Sequence, residues 1–518
     1  MSSQDGTAPI QSATAGARQL WKRLEPVRSR VRARAAVDTR ALAAFRIALA
    51  FTILVDLLHR SRHMELFYTD QGAYPVAAYE VTYSQYTGIS IHALSGDLWF
   101  QQLMFVVAGL FALAMLVGYR TRLVTFVSFL LLMSLHARNP AVLNGGDKLF
   151  RVLLFLAVLP PTGERWSIDA LRRGSARDTV ASFGTAAVLV QPVVVFTSNA
   201  ILKHEGETWY AGDAIEIALS NDVMRILLGN VIVEYPPVMT FLNYAWVTLL
   251  AGSVLFLLLT VGRLRALAAL VYISAFMGML LSMAVGLFPL VLTASMMPFL
   301  TTPFWDWLGA RVPSRLRDWL PDRDRLGPFG KPPLERRLGE RLRARGHSML
   351  VAFPGSVLTV VGFLALVWIL LFAASDVSGR DVPDRIDYEH LDQQSWGLYA
   401  PDPSDAYVWY VVEAELDDGS TIDAIDGGAV DFDRPPDGSE AYKTFRHRKF
   451  MRLVWSSGRD DTSPIIADSY GDWACEQAND NADGRAARIT VYRFYQETPL
   501  DGEYAEPSRV PLIEQECR

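Results

Sequence analysis

The sequence predicts a mostly α, polytopic bundle of about nine membrane-spanning helices carrying a small, mainly β extracytoplasmic domain at its C-terminal end. Three observations predict this. Apolar runs of near-bilayer length recur through the first 374 residues, and 51% of the 518 residues are hydrophobic. Arginines gather in alternate loops between those runs. Acids outnumber bases more than two to one in residues 375–518, whereas the rest of the chain is net basic, so the overall charge of −6 hides two opposite halves.

Residues 1–38 are first Ser/Ala/Gly-rich and then Arg-rich, and read as a disordered, basic, cytoplasmic N-terminus. The bundle follows over 39–303. Its first run, Ala41 to Leu58, is longer than a signal-peptide core and has no small-residue cleavage site behind it, so it reads as a retained span. Further runs fall at 98–118, 123–136, 148–161, 184–202, 238–261, 264–285 and 287–301. Arg120, Arg122, Arg165, Arg172, Arg173, Arg177, Arg263 and Arg265 lie on one side of the alternation, with the Arg-dense stretch 311–345. The opposite loops, 61–97 and 203–237, hold only Arg62, Lys203 and Arg225. The positive-inside pattern then places the chain in the plasma membrane as a multi-pass protein, N-terminus in the cytoplasm and C-terminal domain outside. Residues 304–349, with Trp305, Trp307 and Trp319, read as a cytoplasmic basic segment, either interfacial helices or a plain loop. A last span covers 350–375.

Residues 376–518 change texture. Tyr407 to Val412 is aromatic and β-branched, Asp418-Gly419 is a turn signal, and Ile489 to Tyr495 alternates like a strand. The two cysteines, Cys475 and Cys517, both lie here. Outside the cytoplasm they would be free to bridge; two separate buried thiols fit the sequence equally. The chain has no zinc or haem spacing, phosphate loop, nucleophile-elbow serine or nucleotide fingerprint. No metal is expected, and the scattered bases argue against a nucleic-acid partner.

Lys203 is the first candidate functional residue. Only six of the 49 Lys+Arg residues are lysines. A lysine can give up its proton when desolvated, whereas arginine stays charged. Lys203 ends an apolar run, so two readings stand: an amine snorkelling to the headgroups, or a base at the edge of a membrane-buried site. Pro192, Phe196, Asn199 and Lys203 are spaced by four, three and four, which puts an amide and an amine on one helical face. The connection His136 to Asp147 is polar and turn-rich, between two runs short for a bilayer. It reads either as an outer loop or as a hairpin lining a wet pocket. Asp56 and Arg60 lie four apart in the first run and are expected to pair. His59, His63, His92, His136 and His204 all lie near the predicted outer ends.

Four stretches together carry a family likeness. They are Arg46 to Arg60 with Phe67-Tyr-Thr-Asp-Gln-Gly-Ala-Tyr-Pro75; Arg138-Asn-Pro with Asn144-Gly-Gly-Asp147; Arg165-Trp-Ser-Ile-Asp169; and Ala200-Ile-Leu-Lys203 with Trp209 and Gly212. Over roughly 40–300 the chain resembles the HTTM (horizontally transferred transmembrane) family, prokaryotic relatives of vitamin K-dependent gamma-carboxylase. Gln394-Ser-Trp396 with Tyr399-Ala-Pro-Asp-Pro403 is similar to the outer segment that follows the last span in such proteins.

The resemblance implies a reduced naphthoquinone (menaquinone or vitamin K type) as cofactor and a protein or peptide substrate at the outer face. In the carboxylase a lysine deprotonates the quinol, oxygen generates a strongly basic alkoxide, and that base removes a γ-proton of glutamate before CO2 adds. Lys203 matches the lysine base, with Asn199 and His136 as orienting or proton-handling groups and Asn144, Asp147 and Trp209 on the cofactor side. Two departures stand out. Leu202-Lys203 replaces a Lys-Lys pair, and Gly145-Gly146 falls where the animal enzymes have Asn-His. Two functional expectations follow: a quinol-dependent oxygenase or carboxylase, or a non-enzymatic quinone- or lipid-binding module that recruits a partner through its outer domain.

Overall fold

The computed structural model describes residues 25–26, 29–220, 224–311, 313, 355–378, 397, 399–437, 444–460, 464–500 and 503–517. Most of the N-terminus expected to be disordered, most of the 304–349 segment and the start of the last span lie outside the described residues; residues 29–38 of that N-terminus are described, and they form helix and then strand rather than disorder.

The bundle begins with a clip. Strand β1 (Ala36–Asp38) feeds directly into helix α1 (Thr39–Ser61), whose N-cap Asp38 accepts from the Arg40 amide. Helices α2 (Leu98–Leu116), α3 (Thr121–Arg138) and α4 (Gly145–Ala157) follow. Strand β2 (Thr179–Ala181) pairs antiparallel with β1 and sets the start of helix α5 (Phe183–His204) beside the start of α1. A reciprocal cap between Ser182 and Thr185 opens α5, and the helix continues through Pro192. Then come α6 (Pro236–Ala251), α7 (Gly262–Ser282), α8 (Phe288–Met296) and α9 (Gly355–Ser378). A π-helical turn, Val254–Leu259, follows α6.

Each of the nine apolar runs contains a helix, but among the described residues five helices are long and apolar enough to cross a bilayer: Thr39–Ser61, Leu98–Leu116, Phe183–His204, Gly262–Ser282 and Gly355–Ser375. The expectation of nine spans is therefore met only in part. Helix α4 has 13 residues and α8 has nine. At 1.5 Å per residue each falls short of a ~30 Å core. They are packed inside the bundle instead, α4 against α3, α5 and α8. Helix α9 is peripheral, lying along α5 with most of its surface exposed.

The C-terminal domain corrects the expectation of a mainly β fold. Its sheet is there: β3 (Ala406–Leu416), β4 (Thr421–Asp423), β5 (Ala486–Glu497) and β6 (Ser508–Glu516), antiparallel in the order β4-β3-β5-β6. Between β4 and β5, however, the chain forms two helices, α10 (Phe445–Asp460) and α11 (Pro464–Asn481). Their buried residues recur at helical spacing: His447, Phe450, Met451 and Val454 on α10, Ile466, Tyr470, Trp473, Ala474 and Ala478 on α11. Helix α11 covers one face of the sheet. The other face has its own core, where Trp409 stacks on Phe494 with ring centres 4.9 Å apart.

Cys475 on α11 is bridged to Cys517, just beyond β6, with a sequence separation of 42. Closing a loop of that length removes denatured-state entropy worth about 4 kcal/mol. Cys475→Ser is therefore expected to destabilise the C-terminal domain by about 2–5 kcal/mol. Thermal unfolding of the full chain with and without a reductant checks this; a transition that neither change moves contradicts it.

Candidate active site

Helix α5 presents the predicted face inward. Phe196, Asn199 and Lys203 are 2%, 3% and 2% exposed. The Lys203 amine does not reach for headgroups. Its Nζ donates to the Tyr399 carbonyl at 2.7 Å and lies 3.5 Å from the centre of the Trp209 ring. Trp209 Nε1 donates to the same carbonyl at 3.0 Å, so one oxygen of the C-terminal segment holds both side chains. Asn243 on α6 fixes Trp209 from behind, its amide donating to the Trp209 carbonyl at 2.8 Å. Below Lys203, Phe196 stacks on Tyr272, which meets Phe276, and Trp246 closes the group edge-on.

Asp402 ties the C-terminal segment down beside the lysine. It accepts from the Glu207 amide at 3.1 Å, the Thr208 amide at 3.0 Å and the Thr208 hydroxyl. Partial burial works against its charge, but these hydrogen bonds win and hold its carboxyl below the usual aspartate range.

His136, Asn144 and Asp147 belong to a second group, built on charges. Asn144 caps α4, accepting from the Gly146 and Asp147 amides, while Asp147 accepts back from the Asn144 amide at 2.9 Å. Asp147 also receives Arg60 Nη2 at 2.9 Å. Arg60 grips Asp56 through Nε at 2.9 Å and donates to the Tyr68 hydroxyl at 2.6 Å. The same Nη2 lies 3.1 Å from His136 Nε2. With Arg60 donating to Nε2, the proton of a neutral His136 ring sits on Nδ1, a buried atom without a hydrogen-bond partner among the described residues.

The fourth charge comes from the C-terminal domain. Arg446, at the start of α10, donates to Asp56 at 2.8 Å, to Asp147 at 3.1 Å and to the Val142 carbonyl at 2.9 Å. Arg446 is 2% exposed, and Asp56, Arg60 and His136 are fully buried. Ligand atoms of Asp56, His136 and Asp147 lie within 4.8 Å of one another, close enough to hold an ion. Two guanidinium groups already engage the carboxylate oxygens that a metal would need.

Other parts of the family pattern serve as clips. Asp169 accepts from the Arg120 amide at 3.0 Å and the Thr121 amide at 2.7 Å, fixing the start of α3, while Ser167 caps its own helical turn. Arg46 threads the bundle from α1 and donates to the carbonyls of Thr162, Arg165 and Trp166. In the Phe67–Pro75 loop, the Tyr74 carbonyl accepts from Arg138 and the Phe67 carbonyl from Asn139. A Cβ on Gly72 would sit 2.0 Å from the Glu65 carbonyl oxygen, so only glycine fits there.

The structure thus groups Lys203, Asn199 and Trp209 at the end of α5, and His136, Asn144 and Asp147 around Arg60. Sequence reasoning missed Arg446, Tyr399 and Asp402 as parts of these groups. The Tyr399–Pro403 stretch carried a family signal; Arg446 carried none, standing in a segment rich in arginine.

No curated protein and no solved structure matches the chain. The family model of the HTTM domain matches residues 35–307. That match covers just over half of the chain, which belongs to the HTTM domain family and is a multi-pass membrane protein of the gamma-carboxylase-like group.

Proposed function

We propose that this protein is a quinol-dependent oxygenase of the carboxylase-like class, with Lys203 as general base. The observation that carries the reading is Lys203 itself: an amine 2% exposed, at the end of a candidate span, against the face of Trp209. Its surroundings suit a flat, fused-ring alcohol. The aromatic block of Phe196, Tyr272 and Phe276 supplies apolar ring surface, and Asn243 Oδ1 is a buried acceptor without a hydrogen-bond partner among the described residues. A reduced naphthoquinone, when bound, supplies an ionisable hydroxyl and the electrons that oxygen takes up.

The chain's residues then have separate tasks. Lys203 takes the hydroxyl proton, Asn199 orients the oxygen from one turn below, and Trp209 faces the ring system. His136 handles protons through Nδ1, while Asn144 and Asp147 form the wall that holds it. Enclosure by the C-terminal segment keeps water from a strong base. We place the protein in the plasma membrane with its C-terminal domain outside, where a peptide substrate would meet it. The arginine distribution and the Cys475–Cys517 bridge support that orientation.

One observation favours the second reading, a quinone- or lipid-binding module without turnover: the Tyr399 carbonyl already occupies the Lys203 amine. The test uses the purified full-length protein in lipid nanodiscs with reduced menaquinone, oxygen, labelled bicarbonate and a glutamate-containing peptide. Epoxide with label in the peptide makes it a carboxylase; epoxide without label makes it an oxygenase. Saturable quinone binding with neither product leaves the module.

A further inference from the structure

We propose that the buried end of α3 is a binding site for a small oxyanion of carboxylate type, with Arg138 as its cation. This does not rest on the quinol reading. Arg138 is fully buried. Its Nη2 donates to the Tyr74 carbonyl at 2.8 Å and reaches the Tyr68 carbonyl only at 3.5 Å. Its Nε and Nη1 are buried without a hydrogen-bond partner among the described residues. Among the described residues no carboxylate lies within salt-bridge distance of it. Arg60, by contrast, is held by both Asp56 and Asp147.

A guanidinium carries five N–H donors and cannot shed its charge, so burial requires acceptors and a counter-charge. The rings of Tyr74 and Tyr79 lie 5.5 and 5.6 Å from the guanidinium carbon and compensate part of the charge. They accept none of the remaining N–H bonds. Water would satisfy those donors but leave the cation buried. An oxyanion supplies the counter-charge and accepts along one edge of the guanidinium through charge-assisted hydrogen bonds, leaving the other edge to water. One further atom without a partner among the described residues lies on the neighbouring residue. Asn139 Oδ1, on the next residue, is an acceptor suited to an acid O–H or a water beside the anion.

The probe is formate, titrated as the sodium salt into the full-length protein in detergent at constant ionic strength, with sodium chloride as the balance. The readouts are the thermal unfolding midpoint and the line width of 13C-formate. The expected result is a saturable rise in the midpoint with matching line broadening. Arg138→Gln abolishes both, and Arg138→Lys, which keeps the charge and most of the packing, weakens the apparent affinity at least ten-fold. Should Arg138→Gln not fold, Arg138→Lys carries the test. A wild-type response no greater than that to chloride, a non-saturable response from an adventitious ion only, or an Arg138→Lys curve superposed on the wild type overturns the proposal and leaves water as the partner of Arg138.

Discussion

Arg446→Gln is expected to destabilise the full chain by about 3–5 kcal/mol, the usual effect of removing one partner from a buried ion network. The reason is charge balance. Asp56 and Asp147 face Arg60 and Arg446, two carboxylates against two guanidinium groups, none more than 5% exposed. Without Arg446 two buried carboxylates share one cation, and the Val142 carbonyl loses its donor. Denaturant or thermal unfolding of the purified protein measures the loss. Asp147→Asn is destabilising on its own account, since Asp147 caps α4 and binds Arg60. In the Arg446→Gln background it is expected to have a smaller effect, because the surplus charge is already there, and a double-mutant cycle reads the difference. Additivity of the two changes, or a loss below about 1 kcal/mol for Arg446→Gln, would mean that the network is dispensable and the domain docks by apolar packing alone. That packing exists: Phe67 and Tyr74 meet Phe450, and Phe445 meets His59.

The same network shows what sequence order reveals and what it hides. The apolar runs, the strands around Tyr407 and Ile489, and the face of α5 were all legible, because each rests on periodicity within one element. The partners were not. Tyr399 lies 196 residues from Lys203, and Arg446 lies 299 from Asp147, so no local pattern links them. Helices α10 and α11 did leave a signal, apolar residues at steps of three and four, but their arginines and acids masked it beside the stronger alternation of the strands. The pairing of Asp56 with Arg60 was legible from spacing, whereas its extension to Asp147 and Arg446 needed the fold.

Gly146 gives a physical reason for one departure from the animal enzymes. A Cβ at this position would lie 2.8 Å from the Phe288 backbone and 3.0 Å from Asn144 Oδ1. Helix α4 packs backbone to backbone against α8 here, so a histidine side chain has no room. His136, from the neighbouring helix α3, is the imidazole that this charge network does contain. If the chain turns over quinol, its proton handling follows that different placement.

Lys203→Ala and Lys203→Arg are both expected to lower quinol oxidation by at least about 100-fold, the lower end of what a positioned general base contributes. The arginine variant is the more informative. It retains a cation for the Trp209 face and a donor for the Tyr399 carbonyl, so it preserves whatever Lys203 does for folding. It cannot accept a proton, because a guanidinium stays protonated at any working pH. A structural lysine therefore predicts an active Lys203→Arg and a damaged Lys203→Ala, whereas a catalytic base predicts that both are inactive. Unfolding midpoints for the three proteins, measured beside epoxide formation, separate lost chemistry from lost fold. Full turnover in Lys203→Arg removes the base from the reaction and leaves the amine as a clasp between α5 and the C-terminal segment.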